Sequence, residues 1–214
     1  MAPNYSSLHE QLLKKILSSV PKSASKKTLA FVNAFYALST VNALEELTPK
    51  RAAEIALACE KFIARRAGTT PKINIEKARI TEGKRTAVRT QISVLNDDMP
   101  FLVDSLSALF TSLGLTIHLI QHPIFDVTRD ARGILATGKK PTAESLIYME
   151  LSPLPAEVTE EILTAHILRT LDHVATAVRD WIPMNKRVLA LAEQAGNLAP
   201  IIRKSEAEEI RDLL

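Results

Sequence analysis

Apolar and polar residues alternate from Thr86 to Leu95, and then the period changes. Val88, Ile92 and Val94 point one way while Arg89, Gln91 and Ser93 point the other, the pattern of a half-buried strand. From Leu102 onward, Leu102, Leu106, Leu109, Phe110 and Leu113 fall on one helical stripe, with Gly114 placed as a C-terminal cap. Asn96 to Ser105 is therefore a strand-to-helix turn. Asp97 or Asp98 is expected to cap the free N–H groups of the helix. Pro100 suits its first turn, where a missing N–H costs nothing.

The same reading extends to both sides. Residues 5 to 19 form a helix with Leu8, Leu12, Leu13, Ile16 and Leu17 on one side. Pro21 to Ser25 breaks it, and a second helix carries Leu29, Val32, Phe35 and Tyr36. Thr48-Pro49 starts a third, with Thr as N-cap and Pro at the first helical position; Ile55, Ala58, Cys59, Phe62 and Ile63 face inward, and Gly68 ends it. Lys72 to Glu76 reads as a short strand and Glu82-Gly83-Lys84 as a turn. Leu115, Ile117 and Leu119 then alternate with Thr116, His118 and Ile120, and the strand resumes after Pro123 through Ile124, Phe125 and Val127. A proline inside it predicts an edge position or a bulge. Arg129 to Gly133 turns the chain, Thr137 to Pro141 is a basic loop, and Leu146 to Leu151 reads as a central strand. A long amphipathic helix runs from about Ala156 to Trp181, with Leu163, Ile167, Leu171, Val174, Val178 and Trp181 spaced by three and four. Pro183 is expected to end it, with Trp181 buried against the sheet. Ser205, followed by Glu206, Glu208 and Glu209, marks a further helix start. The chain stops a few turns later, which reads as a cut within a longer polypeptide.

The order strand, helix, strand, strand, helix is that of a ferredoxin-like α+β domain. The expected fold is an antiparallel sheet with helices on one face, preceded and followed by helical segments. Three parts follow: a helical segment over 1–68, the α+β domain over 72–183, and a helical tail over 184–214. No fourth strand follows the second helix. Lys72 to Glu76 could take that edge, or the slot is empty.

Composition narrows the function classes. Of 214 residues, 46% are hydrophobic and 24% charged, ordinary for a soluble globular chain. Twenty-seven basic residues against 24 acidic ones leave a net charge of +3, so charge alone gives no case for nucleic acid. Cys59 is the only cysteine, which excludes an intrachain disulfide and a cysteine metal cluster; on an apolar face it reads as a buried, inert thiol. No basic-then-apolar leader and no membrane-length apolar run is present. The expectation is a cytoplasmic protein with no membrane and no nucleic-acid partner.

Candidate chemistry is sparse. The six glycines, at 68, 83, 114, 133, 138 and 196, never fall within the spacing of a dinucleotide or phosphate-cradling loop. No catalytic or cofactor-binding residue is assigned. His118 and His122 are four apart, but on a strand and with no third ligand nearby, so they read as structural and no metal site is assigned. An RNA-recognition module shares this element order. It needs exposed aromatics for base stacking, and the strand Thr86 to Leu95 has none. Asn96, Asp97 and Asp98 remain as candidate effector-binding residues, beside their reading as helix caps.

A resemblance rests on three pieces. Asn-Asp-Asp-Met-Pro-Phe-Leu-Val-Asp-Ser from Asn96, Gln121-His122-Pro123, and Val127-Thr128-Arg129-Asp130-Ala131-Arg132-Gly133 together resemble the N-terminal, ACT-like region of the large bacterial NAD-specific glutamate dehydrogenases. The resemblance implies a non-catalytic regulatory or assembly region, joined to the remaining domains of its own polypeptide in a homo-oligomer and open to an amino acid effector. It further implies that the parent enzyme oxidatively deaminates glutamate to 2-oxoglutarate with NAD, while this stretch holds no cofactor. ACT modules commonly carry Asp-x-Pro-Gly-x-Leu at this turn. Here Phe101 stands at the glycine position, where its side chain is expected to fill the effector's space. The alternative is a free-standing ACT-type amino-acid-sensing protein.

Overall fold

Hydroxyl caps position the helices that precede the sheet. After α1 (Tyr5–Ser18), Ser25 Oγ accepts from Thr28 N–H at the start of α2 (Lys26–Tyr36). Thr40 Oγ1 does the same for Ala43 at α3 (Val41–Glu45), and Thr48 Oγ1 for Arg51 at α4 (Pro49–Ile63), where Pro49 takes the first helical position as expected. The five-residue α3 was not expected; it is too short to show a periodic stripe. The structure, a computed structural model, describes residues 5–82, 85–138 and 140–196. The turn at Gly83-Lys84 and the helix start at Ser205 lie outside the described residues.

The described strands form one antiparallel sheet. They are β1 (Lys72–Glu82), β2 (Arg85–Asp97), β3 (Ile117–Gln121), β4 (Ile124–Arg129), β5 (Leu135–Ala136) and β6 (Thr142–Leu151), in the order β1-β2-β6-β4-β5, with β3 also paired to β6. α5 (Leu102–Ser112) follows β2, and α6 (Glu160–Gly196) follows β6. The fold is the expected ACT-like α+β arrangement. The fourth-strand slot beside β2 is filled by β1, which precedes the core motif in the chain and pairs with β2 over its whole length. β3 and β4 share β6 as partner: β3 pairs with its Tyr148–Leu151 end and β4 with its Thr142–Ser145 end. Pro123 sits at the junction between them. It donates nothing, and its carbonyl accepts from Leu146 N–H at 3.0 Å.

Alternation along β6 fixes what lies on each face. Leu146 and Tyr148, with Leu95 and Leu119, join Val32, Phe35, Tyr36, Ile55, Cys59 and Ile63 in one core cluster beneath α1–α4. Residues pointing the other way, Ile92, Val94, Ile147, Met149 and Leu151, are buried too, as are Leu102, Leu106 and Phe110 of α5 and Leu163 and Ile167 of α6. To the helices expected on one face, the structure thus adds α1–α4 on the other. Glu144 to Leu151 is an unbroken buried run, which marks β6 as the central strand. Cys59 is buried, and burial pushes its thiol up to about 12, as befits an inert core residue.

Two expectations for the long helix are corrected. Pro183 lies inside α6 and does not end it. A proline removes one N–H and crowds the preceding turn at a cost of about 3 kcal/mol. The following Lys186, Arg187, Leu189, Ala190, Leu191 and Ala192 are strong helix formers that resume propagation. Trp181 is 64% exposed, with Ile182 and Met184 also exposed, so burial along the stripe stops at Val174. The chain clusters as one compact unit up to Thr170, and residues from Leu171 onward cluster separately.

Leu106 is fully buried, so Leu106→Ala should lower stability by about 2–5 kcal/mol. Trp181→Ala should stay within about 0.5 kcal/mol of the parent chain. Urea unfolding of the two variants checks both values; a large loss for Trp181→Ala would mean that the helix face is covered after all.

Candidate functional site

Residues far apart in the chain converge on the first half of β6. The β2 end delivers Asn96, Asp97 and Asp98; the β3–β4 junction delivers His122; β4 and its following turn deliver Arg129 and Gly133. The loop after α4 adds Arg66. Pairing sets Asp97 opposite Glu144 and Asn96 opposite Ser145 on β6.

Glu144, 3% exposed at its side chain, is the centre of a buried charge network. Arg129 forks onto it, Nε to Oε1 at 2.8 Å and Nη2 to Oε2 at 2.7 Å. Arg66 Nη1 lies 3.2 Å from Glu144 Oε1 and 2.6 Å from Asp97 Oδ1. The remaining guanidinium donors go to main-chain carbonyls. Arg66 donates to Thr69 and Thr70, and Arg129 to Gly133 and Ile63. Bidentate, fully engaged pairing of this kind is what makes buried arginine tolerable. Burial alone would raise the Glu144 carboxyl, but the bonds and charges of Arg129 and Arg66 outweigh it and hold it below its ordinary value of 4.5. Gly133 completes the junction: its carbonyl accepts from Arg66 N–H at 2.9 Å. Its φ is +76°, and an added Cβ would sit 1.8 Å from the Arg66 carbonyl oxygen. Only glycine fits there.

A second, shorter chain of bonds lies beside the first. Ser145 Oγ donates to Asp98 Oδ1, and His122 Nε2 lies 3.0 Å from the same hydroxyl. With the serine proton committed to Asp98, the imidazole is the donor to Ser145. Burial lowers the His122 pKa, opposed by the Asp98 charge. Asp98 N–H also bonds to the Ala143 carbonyl at 2.9 Å, and Asn96 Nδ2 donates to the Asp97 carbonyl at 3.1 Å.

This geometry corrects the capping expectation. α5 begins at Leu102, its N-cap is Phe101, and no side chain caps it. Asp97 is held by Arg66 and Asp98 by Ser145; Pro100 lies ahead of the helix. Asp104 is the acidic residue in the first turn. The expectation for Phe101 is also corrected. Its φ is +69°, the left-handed region that glycine adopts at no cost, and its ring is 65% exposed. The ring therefore points to solvent and does not plug the turn. An open cavity of about 400 Å³ lies there, lined by Met99, Pro100, Phe101, His122, Ile124 and neighbouring turn residues, with Asp98 and Asp104 as its acids and no Lys or Arg.

Sequence reasoning singled out Asn96, Asp97 and Asp98 at this turn, but missed Arg66, Glu144 and Ser145, which hold them. The available signal was a charged residue followed by a polar one at the entry to a strand read as central. Among the described residues no group of three His, Cys, Asp or Glu is placed to hold a metal ion, and no helix is long and apolar enough to cross a membrane. The turn does not fit a dinucleotide either: its aspartates would repel a pyrophosphate.

Glu144 is held ionised in the fold, so its stabilising contribution is present above its unfolded pKa and is lost as pH falls through its lower folded value. Unfolding free energy should therefore drop steeply below about pH 4.5, the ordinary value, and Glu144→Gln should flatten that slope. At neutral pH, Arg66→Met, which leaves Glu144 with one partner fewer, should cost about 3–5 kcal/mol. Denaturant titrations across pH test both; an unchanged acid slope in Glu144→Gln would contradict the account.

The comparisons with known proteins fall on this same region. The family described as glutamate dehydrogenase, ACT1 domain, matches residues 31–167, from the middle of α2 into the first turns of α6. The NAD-specific glutamate dehydrogenase of Halomonas elongata is 31% identical over 199 residues, covering 87% of this chain and 12% of that protein. That of Pseudomonas aeruginosa is 25% identical over 223 aligned positions, covering 100% of this chain and 14% of that protein. The chain thus spans about an eighth of the length of the curated relatives it matches. No solved structure matches it. With its sheet, its turn and all three motif pieces inside the matched span, the chain belongs to the glutamate dehydrogenase ACT1 domain family.

Proposed function

We propose that this chain is the non-catalytic N-terminal regulatory or assembly region of an NAD-specific glutamate dehydrogenase. The parent enzyme would oxidatively deaminate L-glutamate to 2-oxoglutarate with NAD, on domains outside this stretch. The observation that carries the reading is the family match across the whole sheet, with both relatives extending far beyond it. The glycine pattern of the sequence supports a stretch without a nucleotide site. Its role in the parent would be packing against the other domains, contact between subunits, or response to an amino acid effector.

Within that reading, Asn96, Asp97 and Asp98 serve the scaffold and not an effector. Asp97 and Asp98 already answer Arg66 and Ser145. The adjoining cavity has no Lys or Arg for a ligand carboxylate, and its His122 is engaged with Ser145. An amino acid there would rely on the bare N–H groups of α5 alone.

The alternative, a free-standing ACT-type sensor, differs in the size of the natural polypeptide. An antibody raised against this chain should detect a band several times heavier than 23.6 kDa in cells that make it. A single band near 23.6 kDa, with none heavier, would favour the free-standing sensor and overturn the dehydrogenase reading.

A further inference from the structure

The apolar stripe of α6 continues past the point where its burial stops. Trp181, Ile182, Met184, Val188 and Leu189 are between 36% and 64% exposed, and they lie beyond the family match, which ends at residue 167. At about 100° per residue these five side chains fall within an arc of roughly 160°. Asn185 lies inside that arc, and Lys186 and Arg187 flank it on either side. Pro183 stands about 180° from the centre of the arc. The carbonyl it deprives of a helical partner, that of Arg179, is on the same outer side, where water reaches it. The proline is thus placed where it interrupts the apolar face least.

A helix in water is held chiefly by packing its amphipathic face, and a contiguous exposed patch around a tryptophan is the mark of a protein contact. Val178, Trp181, Asn185, Val188 and Ala192 are spaced by three and four, the seam of helix-on-helix packing. Charge chooses among partners. From Val178 to Ala192 the charged residues are Arg179, Lys186 and Arg187 against Asp180, a net +2. Asp180 is paired with Arg179 at 3.0 Å, so the net charge sits on Lys186 and Arg187. Two copies of this face would meet as like charges, whereas a partner with acidic borders is attracted. Chain length supplies such a partner: the Pseudomonas aeruginosa relative aligns with 100% of this chain over 14% of its own length, which leaves most of that protein in other segments. We propose that the 178–192 face of α6 docks an acid-bordered amphipathic helix from the part of the parent polypeptide that lies outside this chain. Trp181 is the anchor, and Asn185 fixes the register as the one polar residue of the seam. One continuous helix then carries both Leu163 and Ile167, buried in this domain, and the contact to the next. The inference rests on the reading of this chain as part of a longer dehydrogenase.

Photocrosslinking tests it, with Trp181 replaced by benzoylphenylalanine both in this 214-residue chain and in the full natural polypeptide. On irradiation the natural polypeptide should form a crosslink within one chain, with no shift to dimer mass on a denaturing gel. Peptide mass spectrometry should place that crosslink outside residues 1–214, on a segment with Asp or Glu beside apolar residues. The 214-residue chain alone should give none. Lys186→Glu combined with Arg187→Glu should cut the yield by about threefold or more. Both residues are exposed, so the fold is retained, which circular dichroism verifies. A crosslink at dimer mass would assign the face to a second copy, and one formed in the 214-residue chain would assign it to that chain's own residues; either overturns the proposal. A yield unchanged by the charge reversal would overturn the acidic partner. A natural polypeptide near 23.6 kDa would overturn the dehydrogenase reading and this inference together, whereas a large polypeptide without a crosslink overturns this inference alone.

Discussion

One buried carboxylate holds the elements of this fold in register. Glu144 enters the central strand where an apolar side chain is the ordinary occupant, and it is tolerable only because two arginines meet it. Arg129 comes from the neighbouring strand and Arg66 from the loop leaving α4. Arg66 also fixes Asp97 at the end of β2. Through these contacts a single anion joins β2, β4, β6 and the helical layer. The close approach of Gly133 to the Arg66 backbone depends on the same junction.

The three motif pieces that mark the family converge at this point. Asn96–Asp98, His122 and Arg129–Gly133 are separated in the chain, yet all abut Glu144 or Ser145. Their convergence lets them satisfy one another's buried polar groups. The turn nevertheless keeps one costly feature: a non-glycine residue in the left-handed region, with an aromatic ring in solvent. A backbone that needs positive φ at this step accounts for glycine being common there in ACT modules. Phe101 accepts the same conformation with its ring turned outward.

Much of the architecture was legible in the sequence because it rests on local signals. Thr48-Pro49 set the start of α4, the alternation from Thr86 set β2, and the switch of period set α5. What stayed hidden depends on tertiary context. Arg66 follows Arg65 after a helix and reads as a solvated charge, since nothing local says that a carboxylate waits inside. Lys72 to Glu76 showed strand character, but the length of β1 comes from pairing with β2 and not from its own pattern. Pro183 was read as a stop because propensity predicts one there, while the good helix formers beyond it restart the helix. Asp98 looked like a cap because it precedes a helix, and was captured instead by Ser145 across the sheet.

The central claim is that Arg66 and Glu144 act as one unit within the buried network, and a double-mutant cycle measures this most directly. Arg66→Met, Glu144→Gln and the double variant would be unfolded in urea at neutral pH. The account predicts strong non-additivity, a coupling of about 2 kcal/mol or more, near the upper part of the range for residues that share a network. Losses that add to within about 0.5 kcal/mol, as they do for distant independent sites, would contradict it.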